Sequence, residues 1–427
     1  MIETNLRTEQ TSYSAPLIKL LPNADQVCKQ KFCQFLSGLE NVYFTLEDTQ
    51  GKQFFGEADS EIHVRLCIHD EAAYPALLLG GSLGAGEAYI RGLWSTDDLS
   101  QVIRAFAHNM HVVDKIDSGL VSFIAAPFLR FSHWLNRNNA VGSRRNIEAH
   151  YDLGNSFFQL FLDDSMMYSA AIYADENMSL ADAQQLKLKT ICDRLKLNKC
   201  DHLLEIGTGW GALAIYAAEN YGCRVTSTTI SQEQYKLACT RVKDAGLDNL
   251  IEIRCQDYRE LDGQFDKAVS LEMVEAVGHE FLPEYFSTCS ELLKADGLFL
   301  MQVITIPDQR YERARKEVDF IKRYIFPGSC IPSVQKIMSC INTNTNFRLL
   351  DFADYSADYS RTLADWKKNF SQNEPQIIKL CSDDFIRMWH FYFSYCEGSF
   401  AERAIGSAQM LFAKPKQRQQ VREGLYQ

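Results

Sequence analysis

The chain has 427 residues, 46% of them hydrophobic and 23% charged, with 44 Lys and Arg against 55 Asp and Glu for a formal net charge of −11. That length exceeds the usual single domain and leaves ample chain to bury a core. No stretch reaches the roughly 20 consecutive apolar residues of a membrane span, and the acidic balance argues against a broad nucleic-acid surface or indiscriminate adhesion to anionic lipid.

Residues 1–22 read as a polar arm, in which Glu3, Arg7 and Glu9 interrupt any apolar core, so no secretory signal and a cytoplasmic location are expected. The thirteen cysteines are odd in number and contain no C-x-x-C pair, the usage of buried small hydrophobes in a reducing compartment. Val42, Phe44 and Leu46, then Ile62, Val64, Leu66 and Ile68, alternate with polar residues as half-buried strands do, with a turn at Gln50-Gly51 between them. A glycine-rich stretch from Gly80 to Gly86 follows, and Ser95-Thr96-Asp97-Asp98 offers an N-cap for a helix running towards Phe106. These features outline a small α+β domain over 23–115, for docking on lipid or for dimerisation.

Leu120, Phe123, Ile124, Phe128, Phe131, Trp134 and Leu135 recur at roughly helical spacing in a linker over 116–145. A helix on a bilayer surface and a connector packed on the next domain are both open, and Pro127 favours the connector. Arg144 and Arg145 more often mark a solvated face than a headgroup site.

The larger domain, 146–427, is expected to be a doubly wound, Rossmann-like α/β fold. Leu203-Leu204-Glu205-Ile206 reads as a strand, Gly207-Thr208-Gly209-Trp210-Gly211 as a glycine-rich turn, and Ala212 to Tyr221 as the next helix. Glycines at 207, 209 and 211 let the backbone come within contact distance of a nucleotide-like cofactor. G-x-G-x-G alone also suits dinucleotide enzymes or a mere tight turn, but Ala212 breaks the dinucleotide fingerprint and Glu205 ends the strand, where it would orient the loop or a cofactor amino group. Further strands are expected over Cys223 to Thr228, Ile251 to Cys255 and Phe265 to Leu271. The second carries no acidic residue at its end to hold a ribose, leaving Thr229 and Gln234 to supply polar contacts, and Asp257 suits an adenine amino group.

Five segments in order resemble the cyclopropane fatty acid synthase family: Glu148-Ala149-His150-Tyr151-Asp152-Leu153-Gly154-Asn155-Ser156-Phe157-Phe158, Met167 to Ala171, Leu204 to Gly211, Glu275-Ala276-Val277-Gly278, and Tyr324-Ile325-Phe326-Pro327-Gly328. The resemblance implies a class I methyltransferase whose S-adenosylmethionine (SAM) lies among Tyr168, Ser169, the Gly207 to Gly211 loop, Thr229, Ile230, Gln234 and Tyr258. It implies an acyl chain in an apolar tunnel and a bicarbonate ion held by Glu275 and Tyr359 beside the reacting double bond. Two positions depart from the family: its cysteine after Tyr-Ser is Ala170, whose backbone N–H can still bind an anion, and its histidine after the fifth strand is Gln302, which donates a hydrogen bond but cannot titrate. Cys396 matches a cysteine proposed as catalytic, although a buried structural thiol is the favoured reading.

An isolated cis alkene is a poor nucleophile, so the implied chemistry needs the alkene and the sulfonium methyl held in line in a dry site. The resulting carbocation suits aromatic faces, with Tyr151, Tyr168, Tyr311, Phe326, Tyr359 and Trp389 as candidates for lining the substrate site. A base then removes a proton, with bicarbonate oriented by Glu275, Gln302 and Tyr359 in that role. Read alone, Glu272 and Glu275 form an ordinary solvated helix start. His150 and His279 lack metal-ligand spacing, so no metal is expected. The implied partner is unsaturated phospholipid at the inner face of a membrane, approached peripherally. A sister enzyme making methyl-branched, methylene or methylated-diene chains, and a non-catalytic lipid-binding protein, are the alternatives.

Overall fold

A computed structural model describes residues 24–112 and 154–418. They fall into two compact units, Met1–Arg130 and Phe131–Gln427. The expected arm, the linker over 116–145 and Tyr151 lie outside the described residues. Among those described, no helix is long and apolar enough to cross a membrane.

In the first unit, β1 (Val42–Asp48), β2 (Gly51–Phe55), β3 (Ile62–Ile68) and β4 (Trp94–Thr96) form a sheet in the order β2-β1-β3-β4. The period-two pattern has a direct physical result: β1 and β3 pair in parallel with Val42 opposite Ile62, Phe44 opposite Val64 and Leu46 opposite Leu66, so the apolar residues share one buried face. The glycine-rich stretch is helical, over Gly81–Ile90, next to a short helix over Ala73–Leu79. A Cβ on Gly84 would come 2.7 Å from the Ala76 carbonyl oxygen, so glycine lets the two helices meet. Asp98 caps the helix Leu99–His108, accepting from the backbone N–H groups of Ser100 and Gln101 at 2.9 and 3.3 Å.

The second unit is built on a seven-stranded sheet of β5 (His202–Ile206), β6 (Arg224–Thr229), β7 (Ile251–Cys255), β8 (Phe265–Leu271), β9 (Leu293–Thr305), β10 (Arg348–Asp354) and β11 (Gly406–Ala413). Their order is β10-β11-β9-β8-β5-β6-β7, with β5 to β9 mutually parallel and β11 antiparallel to both β9 and β10. Each face is covered by its own core. Leu204, Phe299 and Met301 belong to one cluster, while Leu203, Leu298 and Leu300 belong to the other. Burial on both sides explains why these strands read as continuous apolar runs rather than alternating ones.

The chain winds from β5 outward through β6 to β7, then returns to β8 beside β5 and proceeds the other way. That reversal opens a crevice at the carboxyl ends of β5 and β8, where ligands of doubly wound sheets bind. Two loops meet there: the glycine turn after β5 and the segment from Glu272 after β8. A Cβ on Gly207 would lie 3.2 Å from the Met273 side chain.

Candidate active site

The glycine turn is pinned to the neighbouring strand, since the N–H groups of Gly207 and Thr208 both donate to the Thr228 carbonyl at 3.0 Å. Gly207, Gly209 and Gly211 have φ of +100°, +52° and +87°, the left-handed region that favours glycine. A Cβ on Gly209 would meet no protein atom within 4 Å, so this residue faces open space rather than packing. Beneath the turn, Glu205 is 3% exposed, and its Oε2 accepts from Ser227 Oγ at 2.5 Å, which lies in turn 2.7 Å from Thr208 Oγ1. Burial pushes the Glu205 carboxyl up to about 8 despite that hydrogen bond. It is therefore neutral at pH 7 and poised to ionise beside a cationic ligand.

The remaining expected cofactor residues cluster at the ends of β6 and β7. Thr229 Oγ1 donates to Gln234 Oε1 at 2.8 Å and accepts from the Ser231 N–H, so the pair forms a fixed polar rim with Ile230 partly exposed beside it. Asp257 is clamped by Arg259 in two contacts of 2.7 and 2.9 Å, a partner the sequence reading did not foresee. Tyr258 meets Tyr285 edge to face at 5.5 Å. Trp210, expected to be only a packing residue, donates from Nε1 to Asn155 Oδ1 at 2.7 Å and so ties the turn to the Asn155–Phe158 helix.

Tyr168, Ser169 and Ala170 each engage different partners. Tyr168 lies 2.9 Å from the Tyr392 hydroxyl, with its ring 5.2 Å from Trp366 and 6.3 Å from Phe326. Ser169 Oγ accepts from Lys187 Nζ at 2.8 Å, and that buried ammonium is pushed down to about 7 by burial, opposed by the charges of Glu272 and Asp163. The Ala170 N–H donates to Glu272 Oε1 at 2.9 Å.

Glu272 is the centre of the site. Its Oε1 accepts from the Ala170 N–H and, at 2.8 Å, from Gln302 Nε2, while its Oε2 accepts from the Tyr359 hydroxyl at 2.6 Å. These donors are the ones expected around a bicarbonate with Glu275. Glu275 instead accepts at Oε1 from the Ile304 N–H at 2.5 Å, and its buried Oε2 has no hydrogen-bond partner among the described residues. The difference is one of backbone direction. Glu272 directly follows β8 with φ +49°, whereas Glu275 sits in the next 3-10 turn, Val274–Ala276. A residue with a Cβ in that left-handed conformation costs on the order of 1–2 kcal/mol, a strain that persists where surrounding structure compels it.

The orientation of Gln302 is set from a distance. Arg194, which can only donate, gives one hydrogen bond to Asp351 at 2.5 Å and one to Gln409 Oε1 at 2.6 Å. Gln409 must then present Nε2, which donates to Gln302 Oε1 at 3.0 Å, so Gln302 in turn presents Nε2 to Glu272 and to the Ala170 carbonyl. Neither Lys187, Arg194, Gln409 nor Glu272 was marked as a site residue by sequence reasoning. For Glu272, its place at the carboxyl end of the strand beside the crevice was the signal available.

Burial, then the nearby charge of Glu272, push Glu275 up to about 8. Glu272 is also raised by burial, but Tyr359, Gln302, the Ala170 N–H and the charge of Lys187 all pull it back. Burial thus raises both carboxyls above the ordinary range, with Glu275 short of hydrogen-bond donors and Glu272 held by three of them. Cys396 does not join them: burial pushes its thiol far up, so it carries no thiolate at neutral pH. Tyr311 is also apart, with its hydroxyl 2.5 Å from His279 Nδ1. Phe326 stays with Tyr168 and Tyr392, 6.3 and 6.2 Å between ring centroids. All thirteen cysteines are free, and among the described residues no cluster of His, Cys, Asp or Glu is placed to hold a metal ion.

A seven-stranded sheet with one reversed strand near its edge, and a glycine turn at its switch point, define a class I SAM-dependent methyltransferase. A coclaurine N-methyltransferase solved with N-methylheliamine and SAH shares this fold at 20% identity and a TM-score of 0.57, over 77% of this chain and 98% of that one. The family described as mycolic acid cyclopropane synthetase matches residues 139–410, and the chain belongs to it. It is 37% identical to the cyclopropane-fatty-acyl-phospholipid synthase of Escherichia coli over 84% of this chain and 89% of that protein. It is equally 37% identical to the tuberculostearic acid methyltransferase UfaA1 of Mycobacterium tuberculosis, over 75% of this chain and 76% of that one. A mycolic acid cyclopropane synthase, CmaA1, solved with SAH and CTAB, matches at a TM-score of 0.60 and 29% identity, covering 64% of this chain and 98% of its own. The chain is thus a SAM-dependent methyltransferase of the cyclopropane synthase and fatty acid methyltransferase group.

Two predictions follow from the glycine turn and its buried acid. Gly209→Ala should lower stability by no more than about 1–2 kcal/mol yet weaken SAM binding about tenfold or more in calorimetry; unchanged affinity would remove the turn from the cofactor site. Between the ordinary carboxyl value of 4.5 and about 8, the folded protein retains protons on Glu205 and Glu275 that the unfolded chain has lost. The ligand-free protein should therefore lose stability as pH rises through that window. Glu205→Gln should raise its melting temperature at pH 8, and an unchanged or lower value would contradict the buried neutral acid.

Proposed function

We propose that this enzyme transfers a methylene unit from SAM to the cis double bond of an unsaturated phospholipid acyl chain, forming a cyclopropane ring. The observation that carries this reading is the continuity between the Glu272 carboxyl group, held by three donors, and an aromatic wall. Tyr359 bonds Glu272 through its hydroxyl while its ring stacks on Phe400 at 4.3 Å and meets Trp366 at 6.2 Å. Trp366 meets Tyr168, which meets Phe326. A carboxyl group beside aromatic faces suits a reaction that passes through a carbocation on an apolar chain.

SAM, when bound, supplies an electrophilic methyl group on a sulfonium. Glu205, Gly207, Gly209, Gly211, Thr229, Ile230, Gln234, Asp257 and Tyr258 would hold it, with Tyr168 and Ser169 on its reactive side. The Glu205 carboxyl is suited to give up its proton and accept from the cofactor's ammonium or hydroxyls. Tyr168 and Phe326 would hold the alkene against the methyl and keep water from the cation, which otherwise would be trapped as an alcohol. Bicarbonate, implied by the resemblance, would need the donors Tyr359, Gln302 and Ala170 that the Glu272 carboxylate already engages, so those donors do not fit it.

A second product is favoured by one specific fact: the M. tuberculosis relative named as a tuberculostearic acid methyltransferase is as similar, at 37%, as the E. coli synthase. The same cation that closes a ring on losing a methyl proton gives a methyl-branched alkene on losing a chain proton, or a methylene chain when a 1,2-hydride shift precedes loss of the methyl proton. Peripheral approach to a membrane fits a phospholipid substrate, and docking or dimerisation remains the role proposed for the first unit.

The test is mass spectrometry of vesicles of monounsaturated phospholipid incubated with the protein and SAM carrying a trideuterated methyl. Ring formation predicts a product retaining two deuteriums whose fragments locate a cyclopropane. Retention of all three moves the product to the branched series, and the absence of label in any unsaturated lipid contradicts methyl transfer to lipid.

A further inference from the structure

We propose that Glu272 is a built-in general base, its carboxylate standing where a free anion would otherwise be held, so that the enzyme works without bicarbonate. This rests on the methyl-transfer reading and assigns the proton acceptor within it. Four observations converge on the one side chain. Three donors of different origin, the Ala170 backbone N–H, the Gln302 amide and the Tyr359 hydroxyl, close on its two oxygens at 2.6–2.9 Å. Such a set stabilises and aims a carboxylate, and leaves no donor among the three for a second anion.

The amide in this set faces the carboxylate by necessity, because the donor-only Arg194 fixes Gln409 and Gln409 fixes Gln302. Gln302 cannot take up a proton, so the cradle donates to the carboxylate without competing for what it abstracts. The backbone at Glu272 is in the left-handed region, at φ +49°, where glycine would sit without strain. A carboxylate thus stands at a position that local sterics oppose. Finally, both oxygens of Glu272 are engaged by donors, whereas Glu275 is buried with only the Ile304 N–H on it and its Oε2 has no partner among the described residues.

In the balanced step, the methyl–sulfur bond breaks with its electron pair remaining on sulfur, and the alkene π pair forms the first new carbon–carbon bond. The neighbouring carbon is left cationic. A Glu272 oxygen takes a proton from the transferred methyl, and the released C–H pair forms the third side of the ring. Glu272 ends the turnover as the neutral acid and gives its proton to water once the product has left. The donors that held it as an anion then favour its renewed ionisation.

The experiment compares the wild type with Glu272→Gly in buffer stripped of carbon dioxide and in the same buffer with bicarbonate added, reading deuterated lipid by mass spectrometry. Binding of ¹³C-bicarbonate is followed by NMR on the same proteins without lipid, and SAM calorimetry reports that the variant is folded. The wild type is expected to be equally active in both buffers and to leave the bicarbonate resonance unaffected. Glu272→Gly is expected to lose at least a hundredfold in stripped buffer, to recover on adding bicarbonate, and to broaden the bicarbonate resonance. Wild-type activity that disappears on stripping, or wild-type bicarbonate binding abolished by Tyr359→Phe, would overturn the proposal. So would full activity of Glu272→Gly in stripped buffer. If no protein labels lipid under any condition, the methyl-transfer reading fails, while the NMR arm still decides whether Glu272 or bicarbonate occupies the cradle.

Discussion

The hydrogen bonds on the Glu272 carboxylate organise the site, because each comes from a different part of the second unit. Ala170 belongs to the segment after the Asn155–Phe158 helix, Gln302 to β9, and Tyr359 to the helix Ser356–Gln372. A buried carboxylate is costly unless its charge is met by donors, so the three elements are bound to one geometry by an electrostatic requirement. Arg194 on the helix Leu180–Leu195 and Gln409 on β11 extend the constraint across the sheet to Asp351 on β10. The network gives orientation rather than bulk stability: its members are polar groups that satisfy one another, and its product is a carboxylate pointing one way.

The neighbouring carboxyls illustrate how environment assigns roles to identical groups. Glu205 and Glu275 are both pushed to about 8 because each is buried with few donors. Glu272 is buried too but collects three donors and the field of Lys187. One acid is thereby ready to ionise against a cationic cofactor, one is left short of donors, and one is held by three donors beside the aromatic wall. Like charges near one another separate their titrations, and the protein uses that separation instead of avoiding it.

Much of this architecture was legible in the sequence. The strands over Ile251–Cys255 and Phe265–Leu271 were read to the residue, and the glycine turn to its place between β5 and the next helix, because short apolar or alternating runs bounded by polar turns, and left-handed backbone, leave strong local patterns. The helical form of the Gly80 to Gly86 region was not read, since its glycines answer to the Ala76 carbonyl rather than to a turn. The difference at Glu272 and Glu275 has the same origin. Their spacing resembles a solvated helix start, and only the left-handed backbone at the end of β8 sends the first of them into the site. Lys187, Arg194 and Gln409 carry no motif at all, because their partners lie far away in sequence and local patterns do not encode such pairings.

The chemistry of the site turns on which group fills the space among Tyr359, Gln302 and Ala170. A crystal structure of the protein grown with bicarbonate and S-adenosylhomocysteine would read this directly. The account predicts continuous density from the Glu272 side chain to a carboxylate within hydrogen-bond reach of all three donors. A separate trigonal anion on those donors, with Glu272 turned away and Glu275 bound to the ion, would contradict it.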